Sequence, residues 1–535
     1  MPYSILLSKS SRAAIGLSLK ESLVLIDEAH NLPEAIRAIH SCKLNLPVTE
    51  AALEQLSAYT QQYSSRLAGR NLYYLGQIRK CLTALIKYLS LDPTNASREM
   101  LSSGELLIAL KIDNVNIFKI IRYLDASRLP QKLLGFTSNR LASSAESAFA
   151  SGEQGFSKHI SALSIAQSFL EKLTSSPKEG KFVIDWPTQG PGDTRSKASR
   201  RPTHPTLRFV LLHPAAHFQT VLQDAHGVAL VGGTLKPFAH IAAELLGNKH
   251  IEAAANADCE LKSCTESVLN TFSPALTTFT CDHVVSSSNV RLECLATGPT
   301  NEKLDFRHMS RTTNHVCDEL GRVILVICKK VPSGVVLFLP SYSYEAHLVR
   351  RWKESGIWQD LMRVKNIHRE PTTSQQVEAV LNAYSRDAYS SGAMLLSVVG
   401  GKMSEGINFA DDMARCVIVV GLPYPDITDP ELKEKMTSID QNATKVNGTI
   451  TGQTYYHNLC MRAVNQSVGR AIRHANDYAA IILIDVRYTS DKRVWYSLPS
   501  WLRRDACQSS QSFKSFEENL ASFFQLRQSL SVDAS

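Results

Sequence analysis

The chain has 535 residues, with 58 Lys and Arg against 50 Asp and Glu and a net charge of +8. Apolar residues make up 44% and charged residues 20%, the mix of a globular protein, and the length suits roughly three to four domains. Collagen, a disordered tail and a small disulfide-stapled scaffold are excluded.

Residues 1–20 contain Lys9, Arg12 and Lys20, several serines and no acid before Glu21, which is the composition of a transit peptide. A short amphipathic helix is the preferred reading, because a strand with catalytic features follows at once. Ser22 to Ile26 is apolar and ends in Asp27-Glu28-Ala29-His30, as a buried parallel strand with acids at its carboxyl end would. From about 48 to 175, segments such as 51–63, 72–89 and 105–123 repeat apolar residues every three or four positions, which predicts a helical insertion. Ser175 to Pro205 is rich in Pro, Gly, Ser, Arg and Lys and predicts a mobile basic loop. Strands are expected at 207–212 and 227–231, the latter running into Gly232-Gly233-Thr234-Leu235. Beyond about 283, strands at 335–339, 393–399, 416–420 and 479–484 alternate with helices around 313–328, 344–354, 374–390 and 455–474. That alternation predicts an α/β domain with a mainly parallel sheet.

The longest apolar runs, Cys416 to Pro425 and Gly334 to Pro340, fall short of the ~18 residues of a membrane span. The 11 cysteines are scattered without a C-x-x-C pair, which suits a reducing compartment. The closest spacing, Cys259 to Cys264, is better read as two core thiols than as a metal site. The sequons at Asn95, Asn442, Asn447 and Asn465 then carry no meaning.

Four segments carry chemistry. Asp27 and Glu28 can divide two tasks of phosphoryl transfer, holding Mg²⁺ and orienting or deprotonating the attacking water. The commoner reading of an Asp-Glu pair is a solvated strand end, which the preceding apolar run disfavours. Gln466, Arg470 and Arg473 would share one face of a continuous helix, within about 60° of arc. Gly469 would let another surface approach that face. Two guanidiniums and an amide suit the charge on a transferring phosphoryl group, whereas the bland reading is a solvated basic face. Gly400-Gly401-Lys402-Met403-Ser404-Glu405-Gly406 follows a strand, where glycine lets backbone amides approach a phosphate. It is no Walker A loop, since Met403 stands where G-x4-G-K-[ST] needs Ser or Thr, and no other stretch fits. Ser341 and Tyr342 end the strand at 335–339 with a hydroxyl and a ring suited to a nucleic acid. Thr234 stands where two domains could be coupled. A plain turn is the simpler reading of both these last segments.

Taken together and in this order, the segments resemble the superfamily 2 helicases of the DEAH, XPD-like iron–sulfur type, and most of all the ChlR-type helicases of sister-chromatid cohesion. Val24 to Leu32 is similar to motif II, Gly232 to Pro237 to motif III and Phe338 to Tyr342 to motif IV. Leu395 to Phe409 is similar to motif V, with Val420 to Pro425 after it, and Asn465 to His474 to motif VI. The resemblance implies a fold of two RecA-like α/β motor domains, the first incomplete. Residues 1–44 would be a remnant of the first motor domain and 45–205 a helical arch-like insertion with the basic loop. Residues 206–245 would return to the first motor domain, 246–282 would form a connector and 283–535 the second motor domain. It implies an ATP-dependent DNA helicase of 5′ to 3′ polarity, nuclear, acting on single-stranded or forked DNA with cohesion and replication proteins as partners and no membrane. ATP and Mg²⁺ are the implied cofactors. Asp27, Glu28, His30, Gly406, Gln466, Arg470 and Arg473 would meet the nucleotide, Asp27 and Glu28 the Mg²⁺, and Thr234, Ser341, Tyr342 and Lys402 the nucleic acid. The family also holds a [4Fe-4S] cluster. Its cluster cysteines and Walker A loop precede motif II, and neither is found in this sequence. The resemblance therefore implies a chain weak or inactive alone. The alternative is an ATPase-dead truncated product acting as a DNA- or protein-binding regulatory module.

Overall fold

The computed structural model of the chain describes residues 1–91, 100–143, 161–176, 179–186, 204–246, 270–273, 276–281, 283–403, 409, 411–442, 451–503 and 512–532. It is a mixed α/β structure. In the amino-terminal half, β1 (Leu23–Ile26) alternates outward and inward. Leu23 and Leu25 are 75% and 76% exposed, whereas Val24 and Ile26 are 8% and 2% exposed. Strands β2 (Cys42–Asn45), β3 (Gly180–Asp185), β4 (Thr206–Leu211) and β5 (Gly227–Leu230) complete that half. β1 pairs in parallel with β5, from Leu23 opposite Gly227 to Ile26 opposite Leu230. β2, β4 and β3 form an antiparallel sheet in that order.

Helices Leu46–Tyr63, Gly69–Leu89, Ile117–Ser127, Leu129–Ser143 and Ala162–Lys172 lie between β2 and β3 in the chain. The first starts where Asn45 Oδ1 accepts the Val48 amide, with Pro47 in the first turn, whose missing amide costs nothing there. One apolar core runs from Leu7 through Leu56, Leu82 and Phe169 to Leu245, joining these helices to β1 and β4.

Strands β6 (Asn270–Ser273) and β7 (Leu276–Thr278) form a small antiparallel hairpin. The carboxy-terminal half is built on β8 (Val290–Leu295), β9 (Gly334–Leu339), β10 (Asn366–Arg369), β11 (Ala393–Val398), β12 (Cys416–Val420) and β13 (Ala479–Ile484). They form one parallel sheet in the order β10-β11-β9-β12-β13-β8. β9, β11, β12 and β13 are buried throughout, as strands covered on both faces must be. On one face Leu337, Ile418 and Ile482 meet Leu320, Ile324 and Trp352, from helices Asn314–Lys330 and Tyr342–Ser355, and Phe516 and Leu520. On the other, Phe338, Val419 and Leu483 meet Tyr384, Cys460 and Val464, from helices Val377–Ser390 and Gly452–Val468. Each such fully buried aliphatic contributes about 1.5–3 kcal/mol relative to exposure. The carboxyl ends of β9, β11 and β12 lie side by side, where open α/β sheets bind ligands.

The structure corrects four expectations. The helix expected over 105–123 breaks into Ser103–Ala109 and Ile117–Ser127. Lys111 takes a left-handed backbone, and the Asn116 side chain caps a fresh helix by accepting the Lys119 amide. The basic loop expected from Ser175 hides β3, whose Phe182, Val183 and Ile184 are buried; residues 187–203 of that loop lie outside the described residues. The single helix expected over residues 1–20 is two short ones, Tyr3–Leu7 and Lys9–Ala14. The helix expected over 455–474 stops at Val468, where Arg470 and Ala471 turn back onto the carbonyls of Ser467 and Val468. Among the described residues no helix is long and apolar enough to cross a membrane.

Candidate active site

β1 delivers Asp27 and Glu28 to the surface at its carboxyl end. Glu28 has φ 48° and ψ 41°, a left-handed conformation uncommon outside glycine. The turn is held from several sides. The Asp27 Oδ1 accepts the Glu28 amide at 2.8 Å, and the Glu28 carbonyl accepts the Asn31 amide at 3.0 Å. The Tyr3 hydroxyl donates to the Asp27 carbonyl and lies 3.3 Å from that of Glu28. Burial, then the negative charge of Asp27 and Glu28, pushes the Tyr3 phenol up, so it stays neutral.

The Gly232–Leu235 segment is stitched behind this turn. Val231 donates to the Ile26 carbonyl at 2.8 Å and accepts from the Ala29 amide at 2.9 Å. Thr234 is half-buried, and its Oγ1 is enclosed without a hydrogen-bond partner. His30 is buried, with Nδ1 3.2 Å from Glu28 Oε2 but outside hydrogen-bond geometry. Burial lowers the His30 pKa. Glu28 and Asp27 oppose the shift and Arg462 and Arg470 reinforce it, so the imidazole is neutral near pH 7.

The carboxy-terminal half faces this turn. Arg462, on helix Gly452–Val468, donates to the His30 carbonyl at 3.5 Å. Gln466 is half-buried in the last turn of that helix, and Arg470 and Arg473 lie beyond its end. The shared helical face expected for the three is thus not how the arginines are aimed; a terminating turn presents them instead. A Cβ at Gly469 would meet only carbonyls of its own helix, so among the described residues no second surface approaches it. Burial and Arg470 draw the Arg473 guanidinium down from its ordinary value, while Glu28 and Asp477 push it up. Glu28 therefore stands within electrostatic reach of Arg473, and His30 of Arg462 and Arg470, the acids and the arginines belonging to two facing walls, one from each half of the chain.

A buried cluster fastens the walls together. Glu244 lies 3.1 Å from Arg37 and also binds Lys435, from helix Pro430–Asn442. His240, 3.5 Å from Glu244, stacks on Tyr455 with ring centroids 5.0 Å apart. Burial alone would raise the Glu244 pKa, but Lys435 and Arg37 hold the carboxyl well below the usual range.

The second group of expected residues sits at the carboxyl ends of β9 and β11. Ser341 Oγ caps the following helix by accepting the Tyr344 amide at 3.2 Å. The Tyr342 hydroxyl donates to Glu370, and the Lys402 ammonium to the Thr372 carbonyl. Glu370, buried, also accepts Ser397 Oγ at 2.7 Å and the amides of Val398 at 2.8 Å and Lys402 at 2.6 Å. A Cβ at Gly401 would stand 2.1 Å from Glu370 Oε1, so only glycine fits there. Gly406 lies outside the described residues. Sequence reasoning missed Glu370, Arg462 and the Glu244 cluster, because no local pattern marks a residue whose partners are distant in the chain.

Residues 324–505 match the family model described as Helicase C-terminal domain, and residues 1–47 match DEAD_2. The chain is similar to the ATP-dependent DNA helicase DDX11 of Danio rerio, 35% identical over 549 residues that cover 94% of this chain and 58% of that protein. It is 36% identical to that of Mus musculus, over 94% of this chain and 57% of that one. The ATP-dependent DNA helicase chl1 of Aspergillus clavatus is 32% identical over 99% of this chain and 70% of the relative. The chain thus spans a little under three fifths of the length of its vertebrate relatives. Among solved structures, S. tokodaii Xpd4 aligns with a TM-score of 0.49 and 16% identity, over 93% of this chain and 80% of that one.

Proposed function

This chain belongs to the DDX11/CHL1 family of ATP-dependent DNA helicases, and on that footing we propose that it serves ATP-driven translocation on single-stranded DNA. The observation that carries the proposal is the bond of Arg462 to the His30 carbonyl, with Arg470 in electrostatic reach of His30 and Arg473 of Glu28. ATP sits between the two walls. Glu28 orients the attacking water or takes its proton, and neutral His30 packs beneath it. Arg470 and Arg473 stabilise charge on the transferring phosphoryl group from the other side. Motion of one wall against the other then advances the strand.

Mg²⁺ fits the residues present. Asp27 and Glu28 are adjacent, exposed and offer only oxygen donors, and their charge is already felt by Tyr3. They would hold the ion, which supplies charge neutralisation at the β- and γ-phosphate oxygens. A [4Fe-4S] cluster does not fit the described residues. The sole group of three converging metal-ligand side chains among them is Asp411, His474 and Asp477, which contains no cysteine.

Polarity of 5′ to 3′, forked DNA as substrate, a nuclear location and cohesion and replication proteins as partners complete the proposal. Purified chain with Mg²⁺-ATP and single-stranded DNA tests it. Hydrolysis by the isolated chain is expected to be weak, and to fall about a hundredfold or more in Glu28→Gln. The second reading is a binding module without hydrolysis. Zero turnover in the wild-type chain would establish that reading instead.

A further inference from the structure

We infer that Glu370 is the positioning residue that sets the Gly400–Met403 turn and locks it to Tyr342, so that one carboxylate fixes both segments proposed above to touch DNA. The inference rests on that DNA-binding reading and deepens it.

Two carboxylate oxygens offer about four acceptor sites and no donor. At Glu370 these sites are filled. Oε1 takes the Tyr342 hydroxyl and the Lys402 amide, with the Met403 amide at 3.4 Å, and Oε2 takes the Ser397 hydroxyl and the Val398 amide. The donors come from two strand ends, β9 with its following turn and β11 with its own. Their convergence explains why Gly401 must be glycine, since a side chain there would occupy the place of the carboxylate oxygen. Two struts stiffen the arrangement. Arg369 grips Glu345 of helix Tyr342–Ser355 with bonds of 2.6 and 2.8 Å, and the Lys402 ammonium returns to the Thr372 carbonyl. Residues 369–372 thus hold the turn from below at several points. A glutamine at 370 would place an amide donor among donors, removing at least one acceptor site and leaving an enclosed N–H facing another.

The test uses the whole chain and four variants: Glu370→Gln, Lys402→Ala, their double, and the exposed Glu378→Gln as a control. Without DNA, hydrogen exchange at the Val398, Lys402 and Met403 amides is expected to quicken about tenfold in Glu370→Gln and not in Glu378→Gln. Affinity for a fluorescent oligo-dT should fall about tenfold in Glu370→Gln. The slope of log affinity against log salt should drop by about one, as in Lys402→Ala. The double variant should bind no more weakly than Lys402→Ala, because both changes remove the same contact. Unchanged exchange at the three amides overturns the inference. So does a double variant whose losses add, the mark of a merely structural carboxylate. If Glu370→Gln does not fold, Tyr342→Phe removes one donor while keeping the ring, and faster exchange at Lys402 is required of it. If the wild-type chain binds no DNA, the functional proposal fails while the exchange measurement still decides the role of Glu370.

Discussion

Glu28 pays for its place with a left-handed backbone, which costs a non-glycine residue roughly 1 kcal/mol or more. Its own bonds to Asn31 and Asp27, and that of the neighbouring Ala29 amide to the Val231 carbonyl, hold it there. Glu28→Gly should therefore raise the thermal midpoint, by the equivalent of about 1 kcal/mol, while abolishing hydrolysis; a lower midpoint would show the conformation to be unstrained. Two histidines make the chain acid-sensitive. Burial, then His217, pushes His40 down to about 4, and burial, then Arg493, pushes His457 to about 4. Their unfolded value is about 6.5, so between these limits the unfolded chain binds more protons. Stability is complete above about pH 6.5 and falls as pH drops toward 4. Urea midpoints at pH 7.5 and 5 should differ in that direction, and equal midpoints would remove the histidines from the account. At this scale Asp27, Glu28, Arg470 and Arg473 were candidates by residue type and local pattern, and the structure sets Glu28 within electrostatic reach of Arg473. The arginines are presented by a different route from the one expected, since Gly469 ends the helix rather than exposing its face.

Helix Pro430–Asn442 shows how much one element can carry. Glu431, Glu434, Lys435 and Ser438 lie at helical spacing and reach Arg208, Lys181, Glu244 and His213. These pairs are not equal. Glu244 is buried against Lys435 and Arg37, so Glu244→Gln leaves the Arg37 cation short of a partner and forces Lys435, already drawn down to about 7 by burial, to shed its proton, and should cost about 3–5 kcal/mol. Lys181 and Glu434 are partly exposed, and Glu434→Gln should cost less than about 1 kcal/mol. Denaturation midpoints of the two variants check the ranking, and similar losses would refute it. Central strands β9, β11, β12 and β13 could be read from their apolar runs because burial on both faces leaves that signature. β10, with Asn366, His368 and Arg369, could not, since a short edge strand is polar by necessity. β3 was masked by averaging over a basic stretch. The charged helix stripe was invisible because its partners lie about 200 residues away.

For the molecule as a whole, a charge of +8 spread over 535 residues is too small to dictate nucleic-acid binding, so affinity must come from local contacts. Binding to oligo-dT should weaken linearly on a log–log plot as salt rises, through counterion release; a flat titration would exclude phosphate contacts as its basis. The order of the large sheet has a further consequence. β8 opens that half of the chain, yet its neighbour is β13, joined from Val290 opposite Ala479 to Leu295 opposite Ile484. During synthesis at ~5–20 residues per second, β8 must wait on the order of ten seconds or longer before that neighbour leaves the ribosome. The sheet is sealed late, so a stalled nascent chain ending before Ala479 would display an unzipped edge to chaperones.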